Sequence, residues 1–425
     1  MTMQSDYERC LDTMYKLGRF GIILGLDTMK GILERLDNPE KKFTVIHVAG
    51  TNGKGSVASY LSRILTLSGY RTGLYTSPHL VRFNERIVVD GEMVTDADVV
   101  ASYNRVEAAN VGERSGTFFE LTTAMAFDLF AEKGVEVAII ETGMGGRLDA
   151  TNIVTPALSV ITNVSLEHKD HLGDTIAKIA YEKAGIIKQG IPAIVGVRQA
   201  SAIGVVEETA RELDAPVIRL GRDIHTRRSD KGFSCRCSGI SISDLTTSLL
   251  GRHQVDNAAL AVAACATLRK GDRFRIADET IRQGLATTPW PGRLERVAGN
   301  PETIIDGAHN PAAIKVLVQY LEDEQRGRDI TLVTGILDDK AYPKMFANLL
   351  PFCRRVILVK AKTDRSIDPE AMRAAASKYV RDVSVIPDIA QAIQSARATA
   401  RQDELVLVAG SLYVAGEARA ALTSR

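Results

Sequence analysis

The chain is 425 residues long and carries 53 basic and 52 acidic side chains. This near balance of charge argues against a general binder of nucleic acid or membrane surfaces, and the length favours two domains. The longest apolar runs, such as residues 258–268, are far shorter than the roughly 20 residues needed to cross a bilayer. We therefore expect neither nucleic acid nor a membrane as a partner.

Apolar runs of strand length alternate with helical patterns along the chain, which is typical of an α/β fold. The predicted strands are 43–49, 134–141, 157–163, 192–197 and 216–219. The predicted helices are 54–68, 119–133, 172–188 and 253–269. Residues 222–248 alternate like short antiparallel strands. The pattern predicts a mostly parallel sheet with a small antiparallel section.

A stretch rich in proline and glycine, residues 287–302, predicts a domain boundary. Beyond it, the alternation of strands and helices begins again in a smaller doubly wound, Rossmann-like sheet. We expect a first domain over 1–290, a linker over 291–300 and a second domain over 301–425.

The five cysteines include Cys235 and Cys237 but no spacing typical of a zinc site. Reduced thiols are therefore the better interpretation than disulfides or metal ligands. The first ten residues show no signal-peptide pattern, so we expect a cytoplasmic protein.

The segment HVAGTNGKGS, residues 47–56, joins a predicted strand to a predicted helix. It departs from the strict phosphate loop G-x-x-x-x-G-K-[ST], because Val48 replaces the first glycine and Gly55 follows Lys54. Amides at the start of the helix and the Lys54 ammonium would still suit a phosphate. The alternative is an ordinary glycine turn.

Three further features bear polar side chains that can do chemistry. Glu141 ends a predicted buried strand, where a carboxylate suits Mg²⁺ but can also cap the next element. The loop YTSPH, residues 75–79, is polar and can equally be a solvated surface loop. His168 and His171 share one loop, but no cysteine or further histidine supports a zinc site there.

Lys183 lies within an apolar stripe of the helix predicted over 172–188, a stripe formed by Ile176, Ile179, Ala180 and Ile187. A lysine in that position can extend to the surface. If it stays buried, loss of hydration lowers its pKa and makes the amine reactive.

These segments together resemble one family. GTNGKGS, TSPH, ETGMGGRLDATN, EKAGI, HQVDNAALA, PGRLE and DGAHNP, in this order and spacing, resemble the folylpolyglutamate synthase and dihydrofolate synthase branch of the Mur ligase superfamily. The resemblance covers nearly the whole chain. It implies an N-terminal P-loop-type ATPase domain, a C-terminal glutamate-ligase domain and an ATP-dependent ligase that forms an amide through an acyl phosphate.

The resemblance also implies roles for individual residues. The ATP-binding positions are Gly50, Thr51, Asn52, Gly53, Lys54, Gly55, Ser56, Asn257, Arg293 and Asp306. The metal-binding positions are Ser77, Glu141, His168 and, more weakly, Ser56. The pterin-binding positions are Thr117, Phe119, Asp149 and Ala150, with the loop GIILGLDTM, residues 21–29, at the pocket entrance. The glutamate-binding positions are His309 and Ser411, and the catalytic positions are Lys54, Lys183 and His309.

The cofactors implied by the resemblance are ATP, two Mg²⁺ ions and a monovalent cation, with a carbamylated Lys183. The expected partners are small molecules only, namely a pterin acid or folate, L-glutamate and ATP, and we expect a monomer. The retained segments favour a bifunctional enzyme, although another pterin or carboxylate could be the substrate. A regulatory GTPase-like switch would require an [NT]-K-x-D segment, which the sequence lacks. A small-molecule kinase would share the first half-reaction.

Overall fold

The computed structural model describes residues 5–17, 23–271 and 273–423. Of the loop predicted at the pocket entrance, Gly21 and Ile22 lie outside these residues. The helices and strands of the described residues form two units.

The first unit is built on a mostly parallel sheet. Its strands are β1 (Thr44–Ala49), β2 (Thr72–Tyr75), β3 (Ile87–Val89), β4 (Glu92–Met93), β5 (Val137–Glu141), β6 (Leu158–Ile161), β7 (Ala193–Val195) and β8 (Val217–Arg219). In the described part of the chain they form an eight-stranded sheet in the order β4-β3-β2-β5-β1-β6-β7-β8. Only the edge pairs β2–β3 and β3–β4 are antiparallel among these strands. Strands β1, β5 and β6 are buried throughout, as expected of a parallel sheet covered on both faces.

Helices of the first unit lie on this sheet and carry its core. They are α1 (Asp6–Leu17), α2 (Asp27–Arg35), α3 (Lys54–Leu67), α4 (Asp96–Ala109), α5 (Phe118–Glu132), α6 (Lys169–Leu172), α7 (Ile176–Ala184), α8 (Ala200–Glu212), α9 (His253–Leu268) and α10 (Asp278–Thr287). One core joins side chains of α1, α2, α4 and α5 to β1 and β5, and another joins α7 and α8 to β6 and β7. Packed helices therefore fix the position of the central strands β1, β5 and β6.

The single helix predicted over 172–188 is divided in the structure. Helix α6 ends before Gly173, whose φ of 94° lies outside helical space, and α7 starts after Thr175, whose side chain accepts a hydrogen bond from the Lys178 amide. Helix α7 ends before Gly185, so Ile187 of the predicted stripe lies beyond it. Lys183 remains in the last turn.

The predicted antiparallel section is confirmed. Strands β9 (Ile224–Ser229), β10 (Gly232–Cys237) and β11 (Ile240–Leu245) form, within the residues that the structure describes, a three-stranded sheet in the order β11-β10-β9. Both pairings are antiparallel.

The second unit contains its own sheet and flanking helices. Its strands are β12 (Glu295–Val297), β13 (Glu302–Ile305), β14 (Ile330–Thr334), β15 (Arg355–Leu358), β16 (Asp382–Val385) and β17 (Leu405–Ala409), in the order β12-β13-β17-β14-β15-β16. Its helices are α11 (Pro311–Glu324), α12 (Tyr342–Leu349), α13 (Pro369–Ala376), α14 (Ile389–Thr399) and α15 (Leu412–Thr423). Apart from the antiparallel edge strand β12, the described strands of this sheet run parallel.

The chain passes between the units more than once. The second unit comprises Leu80–Arg82, Leu249–Gln254 and the residues from Pro289 onwards, and the first unit comprises the remainder. The stretch 291–300, expected to be a linker, contains β12, whose hydrogen bonds to β13 make it part of the second sheet.

The five cysteines all lie within the described residues and are unpaired. No helix in ranges 5–17, 23–271 and 273–423 is both long and apolar enough to cross a bilayer.

Candidate functional site

The glycine-rich loop between β1 and α3 is shaped by two close approaches. Gly50 has a φ of 151°, and a Cβ atom there would lie 1.9 Å from Thr162 Oγ1. Gly53 caps α3 with a φ of 82°, and a Cβ atom there would lie 2.6 Å from Asn257 Oδ1. Because neither position has space for a side chain, both need glycine. The second approach also places Asn257, a predicted ATP-binding residue, against the loop.

Residues 162–163, directly after β6, hold the loop by its backbone. Asn163 accepts hydrogen bonds from the Thr51 amide on its carbonyl and from the Asn52 amide on its side-chain oxygen, each at 3.0 Å. The Asn52 carbonyl accepts from Asn163 Nδ2 and Thr162 Oγ1, each at 2.7 Å. Thr51 and Asn52 therefore use their amides to maintain the loop. An anion bound at this loop would therefore meet the amides of residues 53–56, where helix α3 begins.

We expect Gly50→Ala to raise the Kd of ADP by more than about tenfold, because the new methyl group collides with Thr162 and the cradle must move. Isothermal titration with ADP measures the change. Gly69→Ala is the control: its φ of 89° is also one that L side chains rarely adopt, but nothing lies within 4 Å of the added Cβ. Equal ADP affinity in the two variants would show that loop shape does not govern nucleotide binding.

Glu141 meets two other predicted site residues at the end of β5. Its Oε2 accepts a hydrogen bond from the Ser77 amide at 3.1 Å, and its Oε1 lies 3.9 Å from Lys54 Nζ. Lys54 also donates to the Gly50 carbonyl at 3.1 Å and to the Thr51 carbonyl at 3.3 Å. The glutamate is only 4% exposed, so the neighbouring ammonium offsets the cost of burying its charge.

The donor atoms at this point fit Mg²⁺. The Ser77 hydroxyl and the Glu141 carboxylate are oxygen ligands of the kind that magnesium prefers. Within the described ranges, no group of three or more His, Cys, Asp and Glu side chains could hold a metal ion. A magnesium ion here would accordingly rely on few protein ligands, with water and phosphate oxygens completing its shell. Ser56 is buried in the first turn of α3.

Lys183 does not extend to the surface. It is 1% exposed, and its Nζ donates to Glu167 Oε1 at 2.9 Å. Burial lowers the pKa of Lys183 to about 8, although Glu167 acts in the opposite direction. Burial raises the pKa of Glu167, but Lys183 and Lys54 outweigh it and leave that pKa below its ordinary value. Lys183 therefore loses its proton at a lower pH than an ordinary lysine does, although it is paired with Glu167.

Glu167 was missed by the sequence reasoning. It adjoins His168, which has a positive φ of 42° and precedes the short helix α6. His168 also contributes to lowering the pKa of Glu167, so the two side chains share one electrostatic environment with Lys183. The position of Glu167 beside His168, a predicted metal-binding residue, could have drawn attention to it. Its pairing with Lys183 on α7 could not be predicted, because the two residues are far apart in sequence.

The predicted pterin-binding residues Thr117 and Phe119 begin helix α5. Thr117 caps the helix reciprocally with Glu120, and Arg114 pairs with both carboxylate oxygens of that glutamate at 2.7 and 2.8 Å. The Phe119 ring lies over Gly143, where a Cβ atom would approach within 2.4 Å of Cζ. Gly143 therefore leaves the room that the aromatic ring occupies.

Asp149 and Ala150, also predicted to contact the pterin, are both buried. Asp149 Oδ2 accepts from the Met144 amide at 2.8 Å, while Oδ1 accepts from the Thr151 amide and hydroxyl at 3.1 and 2.5 Å. Burial raises the pKa of Asp149, and these hydrogen bonds oppose that rise. Ala150 starts a 3₁₀ turn that Asp149 caps.

In the second unit, the predicted residues follow β13 and its neighbour β17. Asp306 accepts hydrogen bonds from the Leu294 and Ala308 amides, each at 2.9 Å. A Cβ atom added at Gly307 would lie only 2.3 Å from Arg293 Nη1. These contacts group Arg293 with Asp306 beside the end of β13.

His309 and Ser411 occupy the same edge of that second sheet. His309 Nδ1 lies 2.8 Å from the Gly307 carbonyl, and Ser411 accepts a hydrogen bond from the Tyr413 amide at 3.1 Å as α15 begins. Strands β13 and β17 are parallel neighbours, so both residues lie at the carboxyl ends where ligands gather in such sheets.

Comparison with protein families finds two matches. Residues 48–265 match the family described as Mur ligase middle domain, and residues 292–412 match the one described as Mur ligase, glutamate ligase domain.

Curated relatives match over nearly the full length. The chain is 37% identical over 413 residues to a dihydrofolate synthase/folylpolyglutamate synthase of Bacillus subtilis, covering 94% of this chain and 95% of the relative. It is also 37% identical over 402 residues to a folylpolyglutamate synthase of Lacticaseibacillus casei, covering 92% of each.

Solved structures share the whole fold. FolC of E. coli in complex with DHPP and ADP has a TM-score of 0.91 at 31% identity, covering 100% of both chains. The bifunctional folylpolyglutamate synthase/dihydrofolate synthase of Yersinia pestis, complexed with AMPPNP and a Mn ion, has a TM-score of 0.88 at 31% identity, covering 99% of this chain and 100% of that one.

Proposed function

Since the chain belongs to the dihydrofolate synthase and folylpolyglutamate synthase family of Mur ligases, we propose that Lys54, Ser77, Glu141 and Lys183 form the centre at which it activates a pterin carboxylate. The protein is an ATP-dependent, amide-forming ligase that adds glutamate to folate or dihydropteroate. The observation that supports the proposed centre is the meeting of Lys54 and Ser77 on Glu141, beside the amino end of α3.

The first half-reaction uses the loop and the Glu141 cluster. A carboxylate oxygen of the substrate attacks the γ-phosphorus of ATP, and the bond from that phosphorus to ADP breaks. The product is an acyl phosphate. The amides of residues 53–56 and the Lys54 ammonium stabilise the negative charge on the phosphates. Thr51, Asn52 and Gly50 keep the loop in shape, and Asn257 lies beside it.

The second half-reaction forms the amide. The amine of L-glutamate attacks the activated carbonyl carbon, phosphate leaves and the nitrogen loses a proton. We assign the glutamate to His309 and Ser411 and the adenosine to Arg293 and Asp306, all in the second unit. The first unit then binds the phosphates of ATP through the loop at residues 50–56 and the pterin through Thr117, Phe119, Asp149 and Ala150.

Magnesium is the implied metal, held by Ser77 and Glu141, with His168 and Ser56 as further ligands. When bound, Mg²⁺ offsets the charge that develops on the transferred phosphoryl group. We propose two such ions, with a carbamylated Lys183 supporting the second and a monovalent cation also present. The buried Lys183, with its pKa lowered to about 8, suits carbamylation because only a neutral amine reacts with CO₂.

We further propose a bifunctional enzyme that accepts dihydropteroate and reduced folates. The test is incubation with ATP, Mg²⁺ and L-glutamate plus either pterin acid, followed by mass spectrometry of the products. We expect one glutamate added to dihydropteroate and at least one to a reduced folate. Addition to only one acid would make the enzyme monofunctional. Addition to neither would show that it acts on another carboxylate.

Measuring ADP release in the same incubations distinguishes a ligase from a small-molecule kinase. A kinase would release ADP at full rate with the pterin acid alone. We expect sustained ADP release only when L-glutamate is also present, because the amine is needed to consume the acyl phosphate.

We place the protein in the cytoplasm, because unpaired thiols are typical of reducing compartments. We also propose a monomer. Analytical ultracentrifugation at micromolar concentration tests this, and a dimer mass would contradict it.

A further inference from the structure

A buried histidine is connected to the pterin-binding residues by hydrogen bonds. His47, on β1, is fully buried, and its Nε2 lies 2.9 Å from Thr151 Oγ1. Thr151 in turn lies 2.5 Å from Asp149 Oδ1. Every other residue of β1 is small or aliphatic apart from Thr44 at its start, so a polar ring in this strand carries a cost that packing alone does not explain.

These hydrogen bonds run from His47 through Thr151 to Asp149. Both Asp149 oxygens already accept backbone amides, which marks the carboxylate as the acceptor. The single hydroxyl hydrogen of Thr151 is thus directed to Asp149, and His47 must donate from Nε2 to the Thr151 oxygen. Burial lowers the pKa of His47 to about 3, so the ring is neutral. Its Nδ1 then carries no hydrogen, which agrees with its having no hydrogen-bond partner.

The carboxylate at the end of this chain also holds the turn that lies under the Phe119 ring. Asp149 binds the Met144 amide, and the adjacent Gly143 lies under the Phe119 ring. A shift of Asp149 would therefore displace both its own carboxylate and the support of Phe119. The hydrogen bonds of His47 and Thr151 described above involve neither Thr117 nor Phe119. They also involve no side chain of the loop at residues 50–56.

We propose that His47 is a positioning residue for the pterin substrate, acting through Thr151 to orient Asp149 and the turn at residues 143–144. This inference rests on the proposed assignment of Asp149 to the pterin. It predicts that breaking the relay weakens pterin binding and leaves nucleotide binding intact.

The test compares the Kd of the pterin acid that is turned over with the Kd of ADP in matched variants. Thr151→Val removes the hydroxyl at constant shape, and His47→Leu removes the donor. Each should raise the pterin Kd by about tenfold and change the ADP Kd by less than about twofold. Thr151→Ser and His47→Gln keep the relevant donor and should return the pterin Kd to within about threefold of the wild-type value.

Thr44→Val is the control, because Thr44 is buried on the same strand and its hydroxyl has no hydrogen-bond partner. It should leave both Kd values unchanged. If Thr151→Val leaves the pterin Kd unchanged, or raises both Kd values equally, the positioning role is wrong.

Asp149→Asn distinguishes failure of the relay from failure of the site assignment. Weaker pterin binding in Asp149→Asn with normal binding in Thr151→Val would overturn the relay alone. Normal pterin binding in Asp149→Asn would overturn both the assignment of Asp149 and the role of His47. Melting temperatures by circular dichroism identify any variant that does not fold.

Discussion

Replacing Lys183 with Ala is expected to lower kcat by about two to three orders of magnitude, the range found when one electrostatic stabiliser of a transition state is removed. The lysine is buried against Glu167, and Lys54 acts on the pKa values of both. If the amine is free, its loss leaves the Glu167 carboxylate without its ion-pair partner; if it is carbamylated, the loss removes the carbamate. Steady-state kinetics with the accepted pterin acid measures the change. Lys178→Ala, on the exposed face of α7, is the control and should remain active.

Chemical rescue distinguishes the two charges that this position can supply. If the working form is the carbamate anion, acetate or propionate should partly restore turnover in Lys183→Ala. Rescue by ethylamine instead, with none by carboxylates, would show that the ammonium is the working form and would contradict carbamylation. A variant with near-normal activity would remove Lys183 from the catalytic centre altogether.

The lowered pKa of Lys183 also predicts a pH dependence. With a pKa of about 8, the neutral fraction rises from about one in ten at pH 7 to about one half at pH 8. Carbamate formation joins the neutral amine to CO₂ and releases a proton, so enzyme depleted of CO₂ should regain activity faster at pH 8 than at pH 7 when the concentration of dissolved CO₂ is held equal. The ¹³C NMR signal of a carbamate after addition of labelled bicarbonate would report the same step. Its absence in active enzyme would contradict this modification.

The sequence predicts the elements of this fold better than the contacts between them. Hydrophobic periodicity located β1, β5 and β6, and the glycine turn at residues 50–56 was recognised from its position between a strand and a helix. The hydrogen bonds between Asn163 and this loop were not predicted. They depend on β6 lying next to β1 in the sheet, which periodicity does not reveal. Strand order, rather than local pattern, brings those residues together.

The site shows the same division. Lys183 was singled out because its helical position conflicts with its polarity, and of the two outcomes left open the structure shows burial. Its partner Glu167 lies on another element and had no comparable local signal. Nor could the sequence indicate that the two oxygens of Asp149 are already engaged by Thr151 and Met144, since those bonds depend on the fold of one tight turn.

Lys54→Met is the second change for which we expect a large loss, about two to three orders of magnitude in kcat. Its ammonium is the cation at the loop that lies within 4 Å of Glu141 and also bonds two loop carbonyls. Methionine keeps much of the side-chain volume but supplies no charge to the phosphates. Arg63→Met, at a half-buried position of the same helix α3 where the side chain donates a hydrogen bond to Thr287, should remain active and controls for changes in the helix.

A double-mutant cycle with Glu141→Gln tests whether the two residues serve one phosphate and metal centre. Residues that act as a unit give non-additive losses, so Lys54→Met/Glu141→Gln should be about as slow as the slower single variant. If the losses instead multiply, Lys54 and Glu141 act independently and the shared centre is wrong. Raising the Mg²⁺ concentration should partly recover Glu141→Gln but not Lys54→Met, because only the glutamate would be a metal ligand. Because the lysine is held by the loop carbonyls as well as by Glu141, it should remain beside the phosphates in Glu141→Gln, which makes the cycle a test of charge rather than of loop shape.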